Sequence, residues 1–221
     1  WVDFKGAYRT MDKEYMESIW WAFQKLYDAG KIYEGEKVLL YCTRDATPIS
    51  KAEVAMDNSY QDVTDPSVYV KLKLKGSDAY LLAWTTTPWT LPSNCALTVG
   101  PKLDYVRVKS FNPYTHEPQT MVLAKSRLAS YFNEKSENAS FEDHKRDGKN
   151  IPWKVDGEFY GHQLEGIRYE QLFKYAQPDQ GEAFKVIGGD FVTTEDGTGV
   201  VHTAPSFGAD DMRVARQHGI G

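Results

Sequence analysis

From residue 11 to residue 29, apolar side chains recur at helical spacing: Met11, Tyr15, Ile19, Phe23 and Leu26, with Met16, Trp20 and Tyr27 beside them. Thr10 is placed to cap this run, Asp12 and Glu14 suit the positive end of a helix, and Gly30 can stop it. The pattern predicts an amphipathic helix over 11–29, packed on the rest of the chain. Further along the period drops to two. Val68, Val70, Leu72 and Leu74 alternate with Tyr69, Lys71 and Lys73, the mark of a half-buried strand. Gly76-Ser77-Asp78 then turns the chain into Tyr80-Leu81-Leu82-Ala83-Trp84, so the two runs read as a hairpin. Shorter strands are predicted over 37–42, 95–99, 105–109, 121–124, 166–169, 184–192 and 199–203. A short helix is predicted over 126–133, and a longer one over 209–218 after the turn that follows Phe207. Residues 134–150 are polar and charged and read as an exposed loop or excursion within one domain spanning 1–221. There is no internal repeat and no alternation of strands with helices. Many short strands separated by turns predict an α+β, mostly β fold, a curved sheet or β-barrel core with peripheral helices.

Composition sharpens this picture. The 221 residues are 41% hydrophobic and 26% charged, a globular balance. No apolar run approaches the ~20 residues of a membrane span, so no membrane role is expected. Fourteen tyrosines and six tryptophans exceed what a minimal core requires, so some rings are expected to face a groove or a partner. The net charge of −5, from 26 basic and 31 acidic side chains, argues against a strong nonspecific grip on phosphate backbones. It leaves room for a nucleic acid touched at one end. Cys42 and Cys95 stand alone, without the paired spacing of a zinc site, and are expected to be reduced. The sequence opens on Trp1-Val2-Asp3-Phe4 and closes on Gly219-Ile220-Gly221, and reads as a piece of a longer chain.

Two stretches carry candidate chemistry. The first is Trp84-Thr85-Thr86-Thr87-Pro88-Trp89-Thr90-Leu91-Pro92-Ser93-Asn94. Each proline removes a ladder donor, so no central strand continues through it. It reads either as a proline-stiffened surface loop or as a hydroxyl-lined one, able to hold a water or an ester without charge. The second runs from Gly197 through Val200-Val201-His202-Thr203-Ala204-Pro205 to Gly208-Ala209-Asp210-Asp211. Its two aspartates suit a helix N-terminus, and one of them can equally sit beside His202 to bind a cation. His202 reads as a structural histidine or as part of that site. His116, His144, His162 and His218 show no partner spacing, and no phosphate-binding glycine loop, nucleophile elbow or zinc-protease motif is present.

Together the two stretches resemble the editing domains of the isoleucyl-tRNA synthetase family, inserted in class I synthetases. Supporting phrases are Thr10-Met11-Asp12, Met16-Glu17-Ser18-Ile19-Trp20-Trp21, Thr47-Pro48-Ile49-Ser50 and Asp62-Val63-Thr64-Asp65-Pro66-Ser67-Val68. Valyl and leucyl members are similar in layout but carry Arg after two threonines. Thr87 stands there in this chain, which favours the isoleucyl branch. Phe207, where many bacterial members have His, suggests the archaeal or eukaryotic cytosolic type. The HIGH and KMSKS signatures of aminoacylation are absent from the sequence.

The resemblance implies hydrolysis of the ester of Val-tRNA(Ile) by a cytoplasmic enzyme. The partners it implies are the aminoacylated 3′ end of that tRNA and the other synthetase domains. It implies no cofactor or metal here, ATP and Mg belonging to the aminoacylation core. Asp211 matches the carboxylate that grips the substrate ammonium. Thr85, Thr86 and Thr87 match threonines around the aminoacyl group, the adenosine and the water. His202 matches a residue near the amino-acid side chain, Asn94 an editing position, and Trp84 and Thr90 lining residues. A valyl-type domain clearing threonine and a non-catalytic module that binds the tRNA end are the alternatives.

Overall fold

The computed structural model describes residues 3–146, 150–175, 177–179 and 181–221. The chain divides into two units, Trp1–Lys37 and Val38–Gly221. The first holds helix α1 (Lys13–Asp28), with Glu14 in the first turn and Lys25 in the last. Its N-cap is Asp12 rather than Thr10. It ends in a Schellman turn: the Gly30 N–H donates to the Tyr27 carbonyl and the Lys31 N–H to that of Leu26, with Gly30 at φ +65°. Among the described residues of its own unit α1 buries none of its side chains, and Tyr15 of the apolar face expected to pack meets the Tyr8 ring edge-on at 5.4 Å.

The second unit begins with a small hairpin, β1 (Leu40–Cys42) and β2 (Thr47–Ile49), followed by the single turn α2 (Lys51–Val54). β2 is absent from the sequence reading because Pro48 argues against a strand. In a two-stranded ribbon its missing N–H costs no ladder bond. Then follow β3 (Val68–Lys73), β4 (Ala79–Thr85), β5 (Ala96–Val99), β6 (Asp104–Phe111), β7 (Pro118–Ala124) and the single turn α3 (Leu128–Tyr131). The last elements are β8 (Trp153–Tyr160), the single turn α4 (Gly161–Leu164), β9 (Lys185–Gly188), β10 (Val200–Thr203) and α5 (Ala209–Gln217).

The longer strands form two sheets, β3-β4-β7-β6-β8 and β10-β5-β9. The fold is therefore mostly sheet with peripheral helices. Neither sheet closes among the described residues, so the barrel half of the expectation gives way to open sheets. The β3–β4 hairpin forms as read, with Val68 opposite Thr85 and Lys73 opposite Tyr80. The pairs β4–β7 and β5–β9 are parallel.

Three clusters hold these layers. Leu72, Leu81, Tyr105 and Val122 of the larger sheet meet Leu97, Val186 and Val200 of the smaller one. Val106, Val108, Leu123 and Trp153 form a second core, against which Leu128 and Phe132 pack. In the third, Val214 and Ala215 of α5 join Ala96 and Ile187.

Other differences from the sequence reading have local causes. Residues 166–169 make isolated bridges, Leu74 to Tyr169 and Arg168 to Lys185, rather than a ladder strand. β8 has no counterpart in the sequence pattern because Asp156-Gly157 interrupts its apolar alternation, beside a register shift at Arg107/Val108. The helix expected over 126–133 is a 3-10 turn, Lys125–Arg127, followed by α3. The strand expected over 184–192 stops at Gly188. The segment expected as an exposed loop carries a 3-10 turn, Glu134–Ser136, with Ser136 buried and Phe141 against Phe111. Its residues 147–149 lie outside the described ones. Cys42 and Cys95 are free thiols. Among the described residues no helix is long and apolar enough to cross a membrane.

Candidate active site

β4 delivers the first motif and β10 the second. After Thr85 the chain leaves the sheet, and Pro88 and Pro92 bend it into a 3-10 turn, Pro88–Ser93. β10 pairs antiparallel with β5, setting His202 opposite Leu97. A second 3-10 turn, Pro205–Phe207, then feeds Gly208 and α5, which places Asp211 in the first helical turn. A Cβ at Gly208 would displace the Asp211 carboxylate from this position.

The two loops meet at a hydrogen bond of 2.7 Å between Thr90 Oγ1 and His202 Nε2. Between them lies a cleft of about 290 Å³, walled by Trp84, Thr85, Thr87, Thr90, His202 and Asp211. Trp89 and Phe207 stand at it as exposed rings. Thr85 Oγ1 lies 3.2 Å from Thr87 Oγ1 and accepts the Thr87 N–H at 3.0 Å. Thr86 does not join them. It lines a neighbouring cleft of about 270 Å³ with Phe191, Thr193 and Asp196, and Trp84, Thr85 and Val201 border both spaces.

Asn94 is buried behind His202 rather than in the cleft. Its Nδ2 donates to the Ala96 carbonyl at 2.8 Å and lies 3.2 Å from His202 Nδ1. Its Oδ1 accepts the Tyr169 hydroxyl at 2.6 Å. Nothing in the sequence near Tyr169 marks its role, 75 positions from Asn94. Trp89 and Phe207 belong to the two motifs and join the cleft beyond the residues that the resemblance implies.

Electrostatics distinguish the two ionisable members. Burial pushes the His202 ring from 6.5 down to about 4, so it is neutral at pH 7. Burial raises the Asp211 carboxyl above its ordinary 3.8, opposed by the Ala204 N–H that donates to Oδ1 at 2.9 Å. Among the described residues no lysine or arginine pairs with Asp211. Arg213, two residues on, is held by Asp190 at 2.7 Å and Asp210 at 3.1 Å. An under-solvated carboxylate, a pair of hydroxyls and a neutral ring thus face one small volume. Such a site suits a small ligand carrying a positive charge and a polar group to be held, the profile of an amino-acid ester.

The chain belongs to the class I tRNA synthetases (I, L, M and V), whose family model matches residues 1–193. Within that class it is similar to isoleucine–tRNA ligases. It is 48% identical over 228 residues to that of Bacteroides fragilis, covering 100% of this chain and 20% of the relative. With that of Mycobacterium tuberculosis the identity is 46% over 228 residues, with the same coverage. The chain thus spans about a fifth of these relatives. Both are bacterial, so they lend no support to the archaeal or eukaryotic type expected from Phe207. The solved editing domain of P. knowlesi cytosolic leucyl-tRNA synthetase superposes with a TM-score of 0.48 at 14% identity, over 68% of this chain and 62% of that one.

Proposed function

We propose that this chain is the editing domain of an isoleucyl-type synthetase and hydrolyses the ester joining valine to the terminal ribose of tRNA. The observation that carries the reading is the unpaired, half-buried Asp211 carboxylate in the same small cleft as the Thr85–Thr87 hydroxyls and the His202 ring. One methylene in an apolar pocket is worth only about 1–3 kcal/mol, a figure measured on the isoleucine–valine pair of this family, so a second site must clear the smaller product.

In this reading Asp211 accepts the substrate α-ammonium, which restores the solvation its carboxylate lacks and fixes the carbonyl. Thr85 and Thr87 hold the attacking water and the ester by hydrogen bonds that need no charge. The water oxygen bonds to the carbonyl carbon, the ribose oxygen leaves, and free valine and tRNA result. The proton moves through a neighbouring ribose hydroxyl, since the neutral His202 is occupied elsewhere. The second cleft, with Thr86 and the Phe191 ring, takes the terminal nucleoside. An ester already has a good leaving group, so positioning suffices and we assign no metal or cofactor. The remainder of the synthetase supplies most of the tRNA contact, since this chain carries a net charge of −5. Its place is the cytoplasm, where charged tRNA is made.

The test is release of valine from Val-tRNA by the purified chain, with Ile-tRNA as control and binding of a nonhydrolysable valyl-adenosine mimic as second readout. Release of valine with Ile-tRNA spared is expected. Absence of both release and mimic binding overturns the proposal.

A further inference from the structure

We infer that Asn94, oriented by the Ala96 carbonyl and Tyr169, is a positioning residue that locks His202 as its Nε2–H tautomer, with both ring nitrogens closed to any ligand. The part of this that concerns substrate rests on the editing reading above. The hydrogen-bond order does not.

Hydrogen-bond order around a histidine is ordinarily ambiguous, because a ring nitrogen can donate or accept. Here two backbone carbonyls settle it from opposite ends, since a carbonyl only accepts. At one end the Ala96 carbonyl lies 2.8 Å from an Asn94 terminal atom, which must therefore be the amide nitrogen. The other end of that amide, Oδ1, then faces the Tyr169 hydroxyl at 2.6 Å as its acceptor. The same amide nitrogen is 3.2 Å from His202 Nδ1, and a nitrogen bearing two hydrogens donates there, so Nδ1 is bare. At the other end, Thr90 Oγ1 lies 2.8 Å from the Thr87 carbonyl and spends its one proton on it. Its 2.7 Å contact with His202 Nε2 must then be filled by the ring's own proton. Both ends give the same answer: Nδ1 accepts and Nε2 donates. Burial favours this uncharged ring, because a second ring proton would have no acceptor at Nδ1.

The consequence is chemical. A ring with both nitrogens bonded inside the protein has no lone pair for a water and no N–H for a carbonyl. It meets the cleft through carbon and presents a fixed wall. The order Tyr169, Asn94, His202, Thr90, Thr87 also joins that wall to the threonine loop, so the group that excludes and the group that holds the ester are one bonded unit. The Ala96 carbonyl, which only accepts, holds the Asn94 amide this way round, and the Tyr169 proton on Oδ1 adds to that hold. A turned amide would offer oxygen to both Ala96 and Nδ1, and the ring proton would have to move to Nδ1.

Nitrogen NMR of the ¹⁵N-histidine-labelled chain reads this directly. The chain has five histidines, and the His202 signals are identified by their loss in His202→Gln. The wild type is expected to show a neutral Nε2–H ring at pH 7, and an Nδ1–H ring or an imidazolium overturns the inference. Because the wild-type spectrum decides the tautomer, failure of Asn94→Asp or Tyr169→Phe to fold leaves that decision intact. Asn94→Asp replaces the donor by an acceptor and is expected to put a proton on Nδ1. A folded Asn94→Asp chain that keeps a bare Nδ1 overturns the role given to Asn94. Tyr169→Phe is expected to reveal a second, Nδ1–H population, and a spectrum identical to wild type removes Tyr169 from the chain. None of these spectra requires editing. An Nε2–H ring in a chain that releases no valine counts against the proposed function alone, whereas valine release by a chain with an Nδ1–H ring counts against this inference alone.

Discussion

Asp211 and Asp210 are neighbours in sequence and opposites in environment. Asp211 is half-buried, accepts the Ala204 N–H and lacks a cation, whereas Asp210 is exposed and shares Arg213 with Asp190. Asp211→Asn removes the charge that would bind an ammonium and is expected to lower valine release roughly 10- to 100-fold, the worth of a charge-assisted bond. Asp210→Asn breaks a surface pair worth about 0–1 kcal/mol and should change turnover little. Turnover of both variants at saturating Val-tRNA checks this, and equal rates would remove the assignment. His202 belongs to the same scale. His202→Ala opens the wall and is expected to retain much of the Val-tRNA activity while newly releasing isoleucine from Ile-tRNA, because a clash discriminates more sharply than a missing attraction. Loss of valine release with Ile-tRNA still spared would make the ring catalytic or structural instead. Stability carries an independent signature. The unfolded chain takes up a proton at this histidine near its ordinary 6.5, while the folded ring resists until about 4. Stability should therefore fall as pH drops from about 6.5 to about 4, by on the order of 3 kcal/mol for this group. Asp211, raised by burial, slopes the other way: its contribution is largest below 3.8 and is lost as pH rises through its folded value. Comparing urea midpoints of wild type and His202→Gln across that range isolates the histidine, and parallel curves would show that it does not contribute.

At the level of elements, the threonine loop is divided. Thr85 and Thr87 share one cleft and a hydroxyl contact of 3.2 Å, while Thr86 looks into the other. Thr85→Ala with Thr87→Ala is expected to lower kcat strongly. Thr86→Ala should act mainly on KM, through the nucleoside end. Single replacements within the pair should be milder, since a water can stand in for one hydroxyl. Steady-state kinetics on Val-tRNA decide it, and a fully active double variant would free the pair of any role. Sequence made this loop and the His202–Asp211 turn conspicuous, because prolines and glycines at fixed offsets announce where a strand ends and a helix starts. It could not tell which threonine faces which space, since that depends on how the chain leaves β4. Nor could it find Tyr169, whose role exists only through Asn94 on a distant segment. α1 and the β3–β4 hairpin were legible because their apolar periods are unbroken. β8 was not, because Asp156-Gly157 falls where an alternating pattern needs apolar residues.

For the molecule as a whole, periodicity says which residues extend but not which strands pair. The parallel pairs β4–β7 and β5–β9 therefore had no counterpart in the reading of the sequence. What joins the two sheets is visible in one side chain. Tyr105 on β6 is fully buried. Its hydroxyl accepts the Gly100 N–H at 2.9 Å after β5 and donates to the Gly199 carbonyl at 2.5 Å before β10. Burial pushes this phenol up to about 12, so it stays protonated and keeps both bonds. Tyr105→Phe leaves a buried N–H and a buried carbonyl unpaired and should cost about 1–3 kcal/mol, read as a lower urea midpoint with an unchanged m value. An unaltered midpoint would mean that water serves those groups as well.

The contact between Thr90 and His202 spans 112 positions of the chain. A loop of that length must lose its freedom before the contact returns anything, and distant pairings of this kind slow the search for the native state. The β3–β4 hairpin closes over the five residues 74–78 and can form early. The β5–β10 pair, and with it the cleft, has to wait for nearly half the chain to be in place. A chain emerging from the ribosome therefore has most of its larger sheet before the two loops meet to form the cleft.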